Sequence, residues 1–302
     1  MKKSVKIAIL IASLLCVVGV AVCAMGLFKI NFDFSQLNTQ ESQTKTYEIT
    51  EDFENLSIQT ETADVIFALS EDDSCRVVCQ ELAKVTHSVE VQNGTLVIKA
   101  EDSRRWYDHI GIFFGSLKVT VYLPKTEYNN ITVETDTGDV EMPGDFKFGE
   151  TCVDTDTGDV FWDANVFGSL KIGTDTGDIT LASMAVTKTL KIETDTGDIC
   201  LDEVWAVGIQ IESETGDVEL CRTVASDSIS VKTDTGDVEF ERSDAASIFV
   251  ETDTGDVEGS LLSEKIFFTE SDTGDIHVPR GTSGGRCEIR TDTGDIEIEI
   301  VE

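Results

Sequence analysis

The chain has 302 residues, 40% of them hydrophobic, which is enough to build one large or two small cores and too apolar for a disordered polyanion. Its 58 acidic residues against 23 basic ones give a net charge of −35, which repels nucleic acid and anionic lipid and sets aside nucleic-acid binding. Three Pro beside 23 Gly, with little helical periodicity after the first segment, point to β-structure punctuated by glycine turns.

The chain opens on an uncharged run, residues 7–28, behind Lys2, Lys3 and Lys6. That length spans a bilayer, and the basic flank favours a cytoplasmic N-terminus. The expectation is one uncleaved transmembrane helix within residues 1–29, with the remainder of the chain extracytoplasmic. Cleavage before Met25, after the small-residue site of Val22 and Ala24, is the rival reading. Cys16 and Cys23 each follow a bulky residue, Leu15 and Val22, which disfavours lipoprotein processing. Residues 30–45, polar and irregular, read as a short stalk.

Residues 46–130 read as an N-terminal β cap. Leu56, Ile58, Thr60 and Thr62 lead into Ala63, Asp64, Val65 and Phe67 with the alternation of a degenerate rung, alanine standing where a turn glycine is expected. A strand follows around Cys75 to Cys79, then a hairpin at Asn93-Gly94 between Val89/Val91 and Leu96/Ile98. An alternating strand, Leu117, Val119, Val121 and Leu123, stops at Pro124. Together these segments are expected to seal one end of the fold.

Residues 131–302 are dominated by one hexapeptide, TDTGDV or TDTGDI, with altered copies SETGDV at Ser213 and SDTGDI at Ser271. The nine glycines, from Gly138 to Gly294, are spaced by 20, 19, 20, 19, 20, 19, 19 and 20 residues. A period this tight signals one structural rung per repeat. Apolar residues fall seven and five positions before the glycine (Leu170 and Ile172, Leu190 and Ile192) and two and four after it (Ile179 and Leu181, Ile199 and Leu201). Two period-two strands therefore flank each turn, with a return of about eight residues, too short for a crossover helix. The pattern predicts an all-β parallel β-solenoid of about nine or more rungs of 19–20 residues, preceded by the transmembrane helix.

Five features now stand together: Phe32-Asp33-Phe34 beside the membrane, Cys75-x3-Cys79, the loop RRWYDHIGI from Arg104, the strand TVYLP ending at Pro124, and the TGD rungs. In that combination residues 30–302 resemble a bacterial β-strand-repeat family, a domain of unknown function whose members often carry an adhesin label. The resemblance implies a membrane-tethered, right-handed β-helical domain and brings no catalytic residues with it.

Within each rung the phase of the first threonine, as at Thr174, points inward, where stacked hydroxyls can bond along the solenoid. An ice-binding face would need the threonine pairs exposed. The carboxylates take the opposite phase. Asp136, Asp156, Asp175, Asp195, Glu214, Asp234, Asp253, Asp272 and Asp292 form one column two positions before the glycine. Asp139, Asp159, Asp178 and Asp198 begin a second, one position after it and running to Asp295. The simpler reading has each aspartate capping backbone N–H groups of its own turn. The alternative is a set of oxygen ligands for weakly held divalent cations, calcium first.

His87, His109 and His277 are scattered, and no nucleophile triad, zinc spacing or phosphate loop stands out, so no catalytic residue or cofactor is expected. Cys75, Cys79, Cys152, Cys200, Cys221 and Cys287 read as small apolar fillers, with Cys75 and Cys79 too far apart along one strand for a disulfide. Arg104, Arg105, Trp106, Tyr107 and His109 are the basic-aromatic cluster of the ectodomain, either a packed loop or a partner contact. The functional expectation is a non-enzymatic surface adhesin or envelope scaffold, in contact with the membrane through its helix and with an unknown surface ligand or envelope protein. A sensor or accessory subunit of an envelope-stress system is the alternative. A polysaccharide-acting β-helix enzyme is less favoured, because its carboxylate pair would be a local exception whereas these aspartates recur on every rung.

Overall fold

The computed structural model describes residues 15–20, 24–25, 28–29, 42–82, 84–103 and 117–301. The first three stretches are helical, and no helix among the described residues is long and apolar enough to cross a membrane. Most of the span expected within residues 1–29 lies outside the described residues. The rest is β: 24 strands hydrogen-bonded into one continuous sheet that winds on itself.

The rungs stack in parallel and in register with the hexapeptides aligned. Thr155 pairs with Thr135 on one side and Thr174 on the other, and Val160 pairs with Val140 and Ile179. The alternation read from sequence holds, since Leu170, Ile172, Ile179, Leu181, Leu190, Ile192, Ile199 and Leu201 are all buried. Burying each such side chain contributes about 1.5–3 kcal/mol, and the columns repeat this at every rung. Towards the cap the interior is aromatic: Phe53 stacks on Tyr128, Tyr128 on Phe148, and Trp162 tilts against Phe148, at centroid separations of 5.9, 5.6 and 5.7 Å.

At the turn glycine a side chain would run straight into the backbone of the neighbouring rung. A Cβ on Gly197 would lie 2.0 Å from the carbonyl oxygen of Gly177, and φ there is 148°, a region L side chains rarely enter. The return between rungs is less variable in structure than in sequence, because it supplies a third short ladder in which Met184 pairs with Val204 and Trp205 with Val224. The bend into that ladder uses left-handed backbone at Ser183, Glu203, Arg222 and Arg242, with φ between 48° and 55°. None of the four is a glycine, so composition gives no hint of this corner. Inside it Ser243 Oγ accepts from the Thr223 N–H at 2.9 Å and donates to the Leu220 carbonyl at 2.7 Å.

Among the described residues the cap has seven strands: β1 (Ser42–Ile49), β2 (Asn55–Thr60), β3 (Ala63–Leu69), β4 (Cys75–Leu82), β5 (Val85–Gln92), β6 (Thr95–Asp102) and β7 (Leu117–Leu123). β2 and β3 form the degenerate rung, with Thr60 paired to Thr135 and Val65 to Val140. Beyond it β6 lies parallel to β2 and β7 parallel to β3. β4 then runs antiparallel to β7 and β1, while β5 closes antiparallel on β6 through the expected turn at Asn93 and Gly94, both at positive φ. β1 starts at Ser42, so residues 42–45, read from sequence as the end of the stalk, are instead paired with residues 79–82.

At the other end the order of rungs departs from the order of the sequence. The strand Gly285–Thr293 pairs on one side with Ser247–Thr254 and on the other with Lys265–Thr273, and Ile296–Ile300 follows the same arrangement. The Gly294 rung is therefore inserted between the Gly255 and Gly274 rungs, and a uniform stack in chain order does not hold here. The backbone steps back through Gly281-Thr282-Ser283-Gly284-Gly285, where Cβ atoms on Gly281, Gly284 and Gly285 would meet carbonyl oxygens at 2.1, 1.8 and 2.0 Å. That glycine cluster was the available sequence signal.

Two expectations follow. Gly197→Ala should cost at least about 3 kcal/mol in chemical denaturation, whereas Gly208→Ala, with its nearest neighbour at 3.7 Å, should stay within about 0.5 kcal/mol. Deleting residues 285–302 should abolish hydrogen-exchange protection over residues 265–277 as well, because the Gly274 rung loses the strand it rests on. Retained protection there would mean that the two rungs stack in chain order.

Candidate functional site

What the solenoid offers a partner is set by the TDTGD turn. In each unit alternation buries the first threonine and leaves the following aspartate exposed: Thr135, Thr155, Thr174, Thr194, Thr233, Thr252 and Thr291 are buried. The inward reading is thus correct, but the hydroxyls do not chiefly bond to one another. Thr60 Oγ1 reaches Thr135 Oγ1 at 2.9 Å. Thr155, Thr174, Thr252 and Thr291 instead donate to the carbonyl oxygens of Gly138, Gly158, Gly236 and Gly255 on adjacent rungs, at 3.1–3.5 Å. The hydroxyls of Thr194, Ser213 and Thr233 are buried in the same column and make no hydrogen bond.

The second aspartate column corrects the expectation of capping within a turn. Asp139 Oδ1 accepts from the Asp159 N–H at 2.9 Å, Asp159 Oδ1 from Asp178 at 2.9 Å, Asp178 Oδ1 from Asp198 at 2.8 Å and Asp198 Oδ1 from Asp217 at 2.9 Å. The series continues through Asp237 and Asp256, passes to Asp295 and ends on the Asp275 N–H. Each carboxylate caps the next rung, because parallel stacking at about 4.8 Å puts the following N–H within reach of a short side chain. Charge-assisted bonds offset the repulsion of stacked like charges, about 1 kcal/mol per neighbour in water.

The first column, Asp136, Asp156, Asp175, Asp195, Asp234 and Asp253 among it, is exposed along the rim of the turn. On the flanking face of the first strands, cations interleave with carboxylates: Lys171 and Lys191 both reach Glu193, at 2.8 and 2.5 Å, and Lys232 reaches Glu251 at 3.1 Å. The second-strand face differs, since Glu219, Glu239, Glu258 and Glu297 stack in register on four neighbouring rungs. The molecule thus has an aspartate rim that runs the length of the repeats, a glutamate ladder on four rungs and local ion pairs on the first-strand face.

Arg104, Arg105, Trp106, Tyr107 and His109 lie outside the described residues. Cys75, Cys79 and Cys287 are buried free thiols, as expected for fillers, and burial pushes each of them up to about 12. The aspartate columns do not draw three ligand atoms together. Among the described residues the one place where three His, Cys or carboxylate ligand atoms lie within 4.8 Å of one another is in the cap, at Cys79, Glu81 and His87. Sequence reasoning missed this trio by treating the histidines as scattered. The signal was Cys79-x-Glu81 on one strand, with His87 just past a tight turn.

A family profile described as Toastrack DUF4097 matches residues 53–299, which leaves out β1 of the cap and takes in every TGD turn. Among solved structures, a candidate adhesin of Bacteroides fragilis NCTC 9343 is similar over 86% of this chain and 97% of its own, with 14% identity and a TM-score of 0.52. A candidate adhesin of Parabacteroides distasonis ATCC 8503 is similar over 86% of this chain and 98% of its own, with 13% identity and a TM-score of 0.50. At such identities the likeness is one of fold. No curated protein matches the chain.

The capping between rungs can be measured directly. Asp198→Ala should lower stability by about 1 kcal/mol, since the Asp217 N–H loses its acceptor, and Asp198→Asn should recover most of that loss because the amide oxygen still accepts. Equal unfolding midpoints for the two variants would show that the bond to the next rung contributes nothing.

Proposed function

The chain belongs to the Toastrack DUF4097 family, and from that starting point we propose that it is a membrane-anchored, extracytoplasmic contact surface, an adhesin or envelope scaffold that acts by binding and not by catalysis. The observation that carries the reading is repetition. The exposed Asp of TDTGD recurs on rung after rung with the same backbone around it, so the surface presents many equivalent, weak contact points in one rigid row. Such a row favours extended, multivalent ligands, for which each additional contact multiplies residence without any single strong pocket. The two solved neighbours described as candidate adhesins are consistent with it. The uncharged run over residues 7–28 behind three lysines supplies the anchor and its orientation. Along the aspartate rim, divalent cations are held weakly and without selectivity, as counter-ions to a net charge of −35.

Protease added to intact cells should degrade the chain after residue 45 and leave the N-terminal lysines protected. A glycan array and a pull-down from intact envelopes should then detect retention without chemical change to the ligand. An ectodomain that resists protease until the cells are lysed would overturn the placement, and product release from a bound glycan would overturn the non-catalytic reading.

A further inference from the structure

The N-terminal cap contains a cluster that neither the repeat architecture nor the contact function uses. β4 carries Cys79 and Glu81 two residues apart, hence on one face of the strand, and the tight turn into β5 brings His87 over the same face. All three are buried, with His87 only 4% exposed. Glu81 Oε1 accepts from the His87 backbone N–H at 2.7 Å and lies 3.2 Å from the Tyr47 hydroxyl of β1. That hydroxyl in turn donates to the His87 carbonyl at 2.6 Å. Both contacts of Glu81 fall on Oε1. His87 Nδ1 makes no hydrogen bond; it faces Glu81 Oε1 at 3.6 Å, beyond hydrogen-bond reach.

We propose that Cys79, Glu81 and His87 form a binding site for one divalent transition-metal ion of the zinc class, which staples the β4–β5 hairpin of the cap. One sulfur, one imidazole nitrogen and one carboxylate oxygen are each ordinary zinc ligands, and this mixed set disfavours calcium and magnesium, which prefer oxygen alone. Ligand atoms around a tetrahedral zinc ion stand roughly 3.3–3.7 Å apart, given its bond lengths. The His87–Glu81 separation of 3.6 Å already meets that, and the trio as a whole lies within 4.8 Å, so closure needs a shift of about 1 Å. Charge balances too: a thiolate and a carboxylate neutralise a divalent cation in a setting where an isolated charge is costly. Burial holds the Cys79 thiol protonated, up to about 12, and lowers the pKa of His87. Binding therefore expels one proton, from Cys79, to solvent while the imidazole enters as the neutral ligand. Tyr47 orients Glu81 and the His87 backbone from outside the trio, and the fourth position falls to that hydroxyl or to water. The Lys45 ammonium, opposite Cys79 across the β1–β4 pair, rests over the Tyr47 ring on an exposed side chain and is free to move aside.

The test is cobalt substitution in the purified full-length chain, reduced and stripped of metal. A thiolate-to-cobalt charge-transfer band should rise and saturate at one equivalent, be displaced by zinc, and persist in a large excess of calcium that occupies the acidic surface. Cys79→Ser should abolish the band, Cys75→Ser on the same strand should keep it, and His87→Gln should weaken binding at least about tenfold. Absence of the band in the native chain, or its survival in Cys79→Ser, would overturn the site and leave the trio a buried polar network. Should Cys79→Ser fail to fold, X-ray absorption of the zinc-loaded native chain decides the same question: one sulfur among light ligands supports the site, and an oxygen-only shell refutes it.

Discussion

The structure depends on how closely successive backbones pass at the TGD turn. With a hypothetical Cβ only 2.0 Å from the neighbouring carbonyl, the turn position admits no side chain, and this one exclusion fixes the register of everything around it. Once the glycines stack, the threonine three residues earlier must fall inside and the flanking aspartates outside. The same proximity explains why threonine hydroxyls find glycine carbonyls and aspartate carboxylates find the N–H of the next rung. Ala63 can stand in for glycine in the degenerate rung because it begins the column: Gly138 lies over its carbonyl, and β7 rather than another TGD turn pairs with it on the far side.

Where the sequence repeats, its physics was legible. A period of 19–20 residues with two alternating strands about a glycine leaves few architectures open, and the burial of Ile172, Ile192 and Ile211 follows from their phase alone. Even the cap hairpin was readable, because Asn93-Gly94 is a turn with its own backbone chemistry. The destination of each carboxylate was not. Alternation says that Asp198 points outward, but whether it bonds its own turn or the next depends on a spacing between rungs that exists only in three dimensions. The left-handed corner escaped for a different reason: Ser183, Glu203, Arg222 and Arg242 are held there by the ladder on either side, against their own preference.

Cap and solenoid solve the problem of buried polarity differently. In the solenoid, polar groups inside the stack are small hydroxyls: those of Thr223 and Ser243 donate to backbone carbonyls, whereas Thr194, Ser213 and Thr233 make no hydrogen bond. In the cap, a carboxylate and an imidazole are buried side by side, and a lysine does the same near the opposite end, where Lys265 is held by Asp244 and Ser263. Burying such groups costs more than burying hydroxyls and is repaid only by specific partners. Both ends of the stack therefore depend on particular residues, while the middle depends on a pattern that any one rung can copy from its neighbour.

The inserted Gly294 rung bears on how the molecule is assembled. A solenoid can in principle grow vectorially, each new rung settling on the last as it emerges from a ribosome or a translocation pore. That mode fails after Gly255. The Gly274 segment emerges first but has no seat, since the strand it pairs with, Gly285–Thr293, has yet to appear. For the interval of about twenty residues, the growing edge at Ser247–Thr254 stays open and an unpaired strand waits beside it. Completion is then a concerted closure of two rungs and not another step of a ratchet, which makes this junction the point where a chaperone, or a mispaired neighbour, has the longest opportunity to act.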